Sequence, residues 1–173
     1  LHLGAEPVLA VDPVADRRDR AGRIGAAATS DPDGAQAALA ELLAVHTTAP
    51  DPSGEVERRA PAVIDATGSA SGQRLAFELT RPGGTLSIIA VQTAERFAFT
   101  PVETYDRNLT VRAGRASVRA TLDTLLPEVA AGRFAVPSDT VVTHPEVPLE
   151  DGPELYRRFD AHEQGLVKAI LRP

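Results

Sequence analysis

Short apolar runs alternate along the whole chain with segments of helical periodicity, and this alternation narrows the fold more than any other feature. Val8-Leu9-Ala10-Val11 reads as a buried strand ending at Asp12, and Pro13 opens a charged helix that runs through Arg23. Ala26–Thr29 is a weak second strand. Ser30-Asp31-Pro32-Asp33 then caps a helix to about Val45. Ala62–Thr67 is a strand stopping at Gly68. It is followed by a helix from Ser69 to Thr80, with Leu75, Ala76 and Leu79 on one face. Arg81-Pro82-Gly83-Gly84 reads as a sharp turn into Thr85–Val91, the strongest buried strand of the chain.

Beyond a polar, proline-containing stretch at Gln92–Asp106, Leu109–Ala113 is a further strand. Ser117–Ala131 is a helix with Leu122, Leu125, Leu126 and Val129 at helical spacing. Thr140–Thr143 reads as an edge strand, Asp151–Glu163 as a short amphipathic helix and Leu166–Leu171 as a closing strand. Thr47–Ala60, rich in Pro, Gly, Ser and charge, is expected to be a surface loop. Strands joined through helices predict an α/β fold with a parallel sheet covered on both faces. Right-handed crossovers put the doubly wound order first.

Composition removes other classes. With 173 residues, 43% hydrophobic and 24% charged, the chain has enough apolar material for a core. Aromatics are only 4%, so that core is built from Ala, Val, Leu and Ile. A net charge of −6, with arginines dispersed, argues against a nucleic-acid or membrane-surface binder. No apolar run is long enough to span a bilayer and no signal peptide opens the chain, so a cytoplasmic protein is expected. With no cysteine there is neither a disulfide nor a thiolate metal site, and His2, His46, His144 and His162 lack metal-ligand spacing. Leu1–Ala5 reads as the end of a helix entering a glycine turn, with no methionine before it. A cut through a longer protein is therefore expected.

The chemistry-bearing candidates lie at strand ends. Asp12 closes the first strand on the edge where doubly wound sheets bind ligands. A carboxylate there accepts both ribose hydroxyls and repels a 2′-phosphate. The alternative is a simple helix cap before Pro13. Arg17 and Arg18 either reach a ribose or phosphate, or form a solvated helix face. Gly68 either admits a flat ligand against the backbone or serves an ordinary turn. No Walker loop, Gly-x-Ser-x-Gly or self-sufficient catalytic centre is visible.

Taken in order, Leu3-Gly4-Ala5, Val8–Asp12, Arg17, Ile24-Gly25-Ala26, Val63–Gly68, Arg81–Thr85, Tyr156–Phe159 and Val167–Leu171 resemble the zinc-type medium-chain alcohol dehydrogenase family. The tail is similar to its formaldehyde- and threonine-dehydrogenase-like branch. The resemblance implies a truncated Rossmann-type sheet lacking its first strand over residues 1–135. It also implies a C-terminal strand-helix-strand tail over 136–173 that packs back toward the catalytic domain in the parent. It gives roles to matching positions. Asp12 binds the adenosine ribose of NAD with Arg17 beside it, and Ala66, Thr67 and Gly68 line the cofactor groove. Ile89, Val91, Ala113 and Arg115 lie near the nicotinamide, and Lys168 near the pyrophosphate.

The implied parent is a homo-oligomer that transfers a hydride from a small alcohol or aldehyde to NAD, with zinc held in a catalytic domain absent here. The glycine-rich phosphate loop is absent too, so the chain alone is expected to be inactive. In the strand order 3-2-1-4-5-6, removing the first strand leaves two sheet fragments with unpaired edges. The expected result is a marginal, aggregation-prone chain. Two other readings remain open: a non-catalytic nucleotide-binding module, and a subunit completed by another chain.

Overall fold

The computed structural model describes residues 4–46, 58–115, 117–134 and 138–173. The expected helix end at Leu1–Leu3 and most of the Thr47–Ala60 loop lie outside these residues. The chain divides into two compact units, one made of the residues up to Thr29 and from Leu125 onward, the other of Ser30–Thr124.

In the first unit, strand β1 (Leu9–Val11) leads into helix α1 (Ala15–Arg23). β1 pairs with β2 (Ala28–Ser30), which carries the chain across the division. Arg20 holds α1 in place by bonding Asp16 at 2.9 Å and the Thr140 carbonyl at 2.9 Å. Strand β6 (His144–Pro148), a 3-10 turn at Leu149–Asp151, helix α7 (Gly152–Asp160) and strand β7 (Ala169–Arg172) form a parallel strand-helix-strand unit. Leu155 and Leu166 are its buried apolar residues, and Gly152 packs against Leu171.

The expected Thr140–Thr143 strand is corrected: Ser138–Val141 is a helical turn, α6 in chain order, and pairing begins at His144. Two adjacent β-branched pairs raise β propensity, but that propensity is weak without a partner strand. The Thr143 and His144 N–H groups both turn to the Lys168 carbonyl, at 2.9 and 3.2 Å. Pro145, which has no N–H to donate, falls where the β6–β7 register skips between His144 and Val147.

The second unit holds helix α2 (Ala35–His46), with Ala35 and Leu39 buried. Its main body is the parallel sheet β3 (Ala60–Asp65), β4 (Thr80–Ile88), β5 (Thr110–Ala113), with β4 central. Helix α3 (Ala70–Leu79) connects β3 to β4, and Ala76 and Phe77 on it join Leu86, Ile88 and Phe99 in the core, which corrects the expected purely aliphatic core. The Phe77 and Phe99 rings stack at 4.9 Å, and the Arg107 guanidinium covers Phe77 at 4.3 Å while donating to its carbonyl at 3.0 Å. Burial holds the Arg107 pKa below its usual value, an effect reinforced by Arg59 and Arg74.

Two further expectations are revised here. Arg81–Gly84 is not a turn ahead of the strand. It is an excursion within β4, because Thr80 pairs with Ala60 and Thr85 with Ala62. The Gly83 N–H, on a residue with φ +71°, is tied to the Arg107 carbonyl at 2.8 Å. The polar stretch after β4 contains helix α4 (Pro101–Asp106). Thr100 accepts the Glu103 N–H and Glu103 accepts the Thr100 N–H, a reciprocal capping box with proline in the first turn. Helix α5 (Val118–Ala130) follows β5 as expected, with Pro127 inside it.

The expected interruption of the sheet is present. β1–β2 and β3–β4–β5 are separate hydrogen-bonded ladders among the described residues, and β6–β7 is a third.

Candidate functional site

Parallel strands place all their carboxyl ends on one edge, where chain reversals leave backbone groups and side chains open to a ligand. In the second unit that edge is built from the exits of β3, β4 and β5. Asp65, the last residue of β3, is 2% exposed. Its Oδ1 accepts the Thr67 N–H at 2.9 Å and the Thr67 hydroxyl at 2.7 Å. Thr67 Oγ1 in turn accepts the Ser69 N–H at 3.2 Å, and Ser69 caps α3 by accepting the Gly72 N–H at 3.0 Å.

Gly68 turns the chain with φ +70°, and a Cβ added there would lie 2.8 Å from the Val91 carbonyl oxygen. The turn after β3 is thus seated against the exit of β4. The two exits are also tied by the Ile89 N–H, which donates to the Asp65 carbonyl at 3.0 Å, and the Gly114 N–H joins β5 to Ile88 at 3.2 Å.

Seven of the expected site residues therefore sit on this one edge: Ala66, Thr67, Gly68, Ile89, Val91, Ala113 and Arg115. Ile89 and Val91 are 47% and 74% exposed, so the edge presents apolar surface beside a polar turn. That combination suits a flat, partly apolar ligand with hydroxyl groups.

Asp12, Arg17 and Lys168 belong to the first unit. Asp12 Oδ1 accepts the Val14 N–H at 2.8 Å, the local turn that a helix-entry acid makes. Oδ2 faces Arg17 Nη1 at 3.7 Å, with both side chains partly exposed. Arg18 is committed to the backbone, donating to the Asp12 and Pro13 carbonyls at 2.7 and 3.0 Å. Lys168 is exposed just before β7.

Sequence reasoning passed over Asp65, Gln73 and Gln92 as functional positions. Gln73 is 2% exposed, accepts the Ala98 N–H and donates to Gln92 at 3.3 Å, bracing the segment that follows the β4 exit. For Asp65 a signal existed, since Asp-x-Thr-Gly after an apolar strand has the spacing of a side chain bonding its backbone two residues on. The glutamines carried no such signal.

A family model described as zinc-binding dehydrogenase matches residues 1–131. The chain belongs to this family. It is 30% identical over 170 residues, 98% of its length, to a Mycobacterium tuberculosis protein described as a probable zinc-binding alcohol dehydrogenase. An alcohol dehydrogenase from Thermus sp. ATN1 superposes with a TM-score of 0.75 at 31% identity over 98% of the chain. A Sinorhizobium meliloti structure, assigned as a zinc-binding dehydrogenase and bound to NADP, superposes over 88% of the chain with a TM-score of 0.64 at 26% identity.

The chain spans 40%, 46% and 41% of these three proteins, in that order. Its fold is the Rossmann-like nucleotide-binding half of the medium-chain dehydrogenases. The family's zinc does not fit the residues present: the chain has no cysteine, and no cluster of three metal-ligating side chains occurs among the described residues. No helix among them is long and apolar enough to cross a membrane.

Proposed function

We propose that this chain is the NAD-binding half of a zinc-type alcohol dehydrogenase, supplying the cofactor site and no zinc ligand. The observation that carries this reading is the carboxyl edge of β3–β4–β5, where the Thr67–Gly68 turn adjoins the exposed apolar residues Ile89 and Val91. Ala66, Thr67 and Gly68 would line the groove, while Ile89, Val91, Ala113 and Arg115 would flank the nicotinamide and limit water around it. Asp12 would accept the adenosine ribose hydroxyls through Oδ2, with Arg17 beside it and Lys168 near the pyrophosphate. The nicotinamide, when bound, accepts a hydride from a small alcohol or returns it to an aldehyde. The whole enzyme would be a cytoplasmic homo-oligomer whose remaining part holds the zinc, and residues 136–173 would pack back toward that part. The chain alone would be inactive.

Titrating the isotope-labelled chain with 5′-AMP and with adenosine 2′,5′-bisphosphate tests the NAD assignment. The expected result is amide shifts around Asp12 and at least about tenfold weaker binding of the bisphosphate, equivalent to about 1.4 kcal/mol. Asp12→Asn should weaken 5′-AMP binding. Tighter binding of the bisphosphate would transfer the assignment to NADP.

One observation favours a second reading, a subunit completed by another chain. β3 is the outer strand of its sheet, and Ile64 on it is 66% exposed. Co-expression with a separate amino-terminal half of a relative should then restore dehydrogenase activity. Persistent inactivity with both halves soluble would exclude that reading.

A further inference from the structure

We propose that Asp65 is a positioning residue for the cofactor edge. It would fix the Thr67–Gly68 turn from inside the sheet without touching the ligand itself. The inference rests on the reading of that edge as a nucleotide site.

The Asp65 carboxylate is buried, and its Oδ2 has no hydrogen-bond partner among the described residues. A polar atom in that state is costly. The other oxygen must therefore do something that an apolar side chain could not. Oδ1 takes both donors of Thr67, the amide at 2.9 Å and the hydroxyl at 2.7 Å. With its O–H donating to Asp65, the Thr67 hydroxyl presents lone pairs to the Ser69 N–H and the Ser69 hydroxyl, each at 3.2 Å. Ser69 Oγ then accepts the Gly72 N–H at 3.0 Å. One chain of mutually polarised bonds thus runs from the buried end of β3 to the first turn of α3.

The turn is confined from two other sides. The Thr67 side chain covers Gly72, where an added Cβ would collide with Thr67 Oγ1 and lie 2.7 Å from Thr67 Cβ. Gly68 lies against the Val91 carbonyl, where a Cβ would come within 2.8 Å. Of the three constraints, only Asp65 reaches the turn by hydrogen bonds. It accepts both Thr67 donors and so sets the direction of the amide and of the hydroxyl proton, while Ser69 bonds the hydroxyl's lone pairs.

The test compares Asp65→Ala, Asp65→Asn, Thr67→Val and Thr67→Ser in the full chain. Two amide readouts are followed by NMR: shifts on titration with NADH to millimolar concentration, and hydrogen exchange at Ser69 and Gly68. Asparagine keeps an acceptor at Oδ1 and serine keeps the hydroxyl. Both are expected to bind NADH within about twofold of wild type, whereas Asp65→Ala and Thr67→Val weaken it about tenfold and speed Ser69 exchange. Thr67→Val carries the test should Asp65→Ala fail to fold.

Unchanged NADH binding in Thr67→Val, or unchanged Ser69 exchange, would overturn the inference. So would equal losses in Asp65→Asn and Asp65→Ala, because a charge rather than a clamp would then be acting. If wild type shows no NADH-dependent shifts at Thr67, Gly68 and Val91 while Thr67→Val still frees the Ser69 amide, the nucleotide reading fails. The positioning role then fails with it, and the clamp remains a structural device.

Discussion

Gly72 shows how close packing at a single residue outweighs a helix preference. Alanine at an exposed helical position is favoured over glycine by about 1 kcal/mol, and Gly72 lies in the first turn of α3. Yet the added methyl would lie 2.7 Å from Thr67 Cβ, an atom that no rotamer change can move. Gly72→Ala is therefore expected to destabilise the chain by about 1–3 kcal/mol, read as a lower urea midpoint. A raised midpoint would show that the backbone yields and the helix preference wins. Residues of this kind were only partly legible in the sequence. Gly68 announced itself by ending an apolar strand, and its left-handed backbone agrees. Gly72 looked like any helical glycine, because its partner Thr67 is brought over it only by the turn. Asp12 carried two readings. The Val14 N–H bonds Oδ1 in a local turn, but Val14 rather than Asp12 is the residue that caps α1, so the capping reading is corrected and Oδ2 is the oxygen on which the ribose reading depends.

Among the elements, α4 repays attention because its formation depends on a few local bonds. Glu103 accepts from Arg74 at 2.6 Å and from Thr100, and these bonds hold its pKa near 2, against an ordinary 4.5. A carboxylate with a depressed pKa adds stability that is complete above its unfolded value and is lost as the pH falls toward its folded one. The wild-type melting temperature should therefore fall more steeply between pH 4.5 and about 2 than that of Glu103→Gln, with the two curves converging at the acid end. Parallel curves would mean that the Arg74 pairing does not persist in solution. In α5, exposed Pro127 removes one helical donor, and Pro127→Ala should raise the stability by about 1–3 kcal/mol, measured by urea unfolding. Long periodic elements such as α2, α3 and the β4 core were readable from the chain because burial imposes their spacing. Short ones were not. α4 hides in a polar stretch whose Thr-Pro-Val-Glu signature is a cap rather than a period, and α6 contradicts a β-branched run that had no partner strand to hold it.

At the scale of the molecule, the decisive fact is that the strands among the described residues form three ladders rather than one. The alternating pattern made the α/β class and the parallel pairing readable, and the doubly wound order located the interruption between the second and third strands. Pairing itself is non-local and left no mark on any short segment. An outer strand with exposed apolar side chains invites association with other chains. Ile64, 66% exposed on β3, is the residue to change. Ile64→Lys should slow the growth of light scattering at elevated protein concentration. Scattering as fast as wild type would place the sticky surface elsewhere, with the exposed Leu126 and Val129 of α5 next in line. The excursion in β4 has a different kind of consequence. Two steps along β3, from Ala60 to Ala62, are matched by five along β4, from Thr80 to Thr85. Ordinarily a one-residue change in strand length turns every later side chain to the opposite face. Here the surplus is stored in a loop at the amino end, so residues can be gained or lost at Arg81–Gly84 while Leu86 and Ile88 keep facing the core. Lineages descended from this chain can thus vary in length at one end of the strand without disturbing the ligand-facing edge at the other.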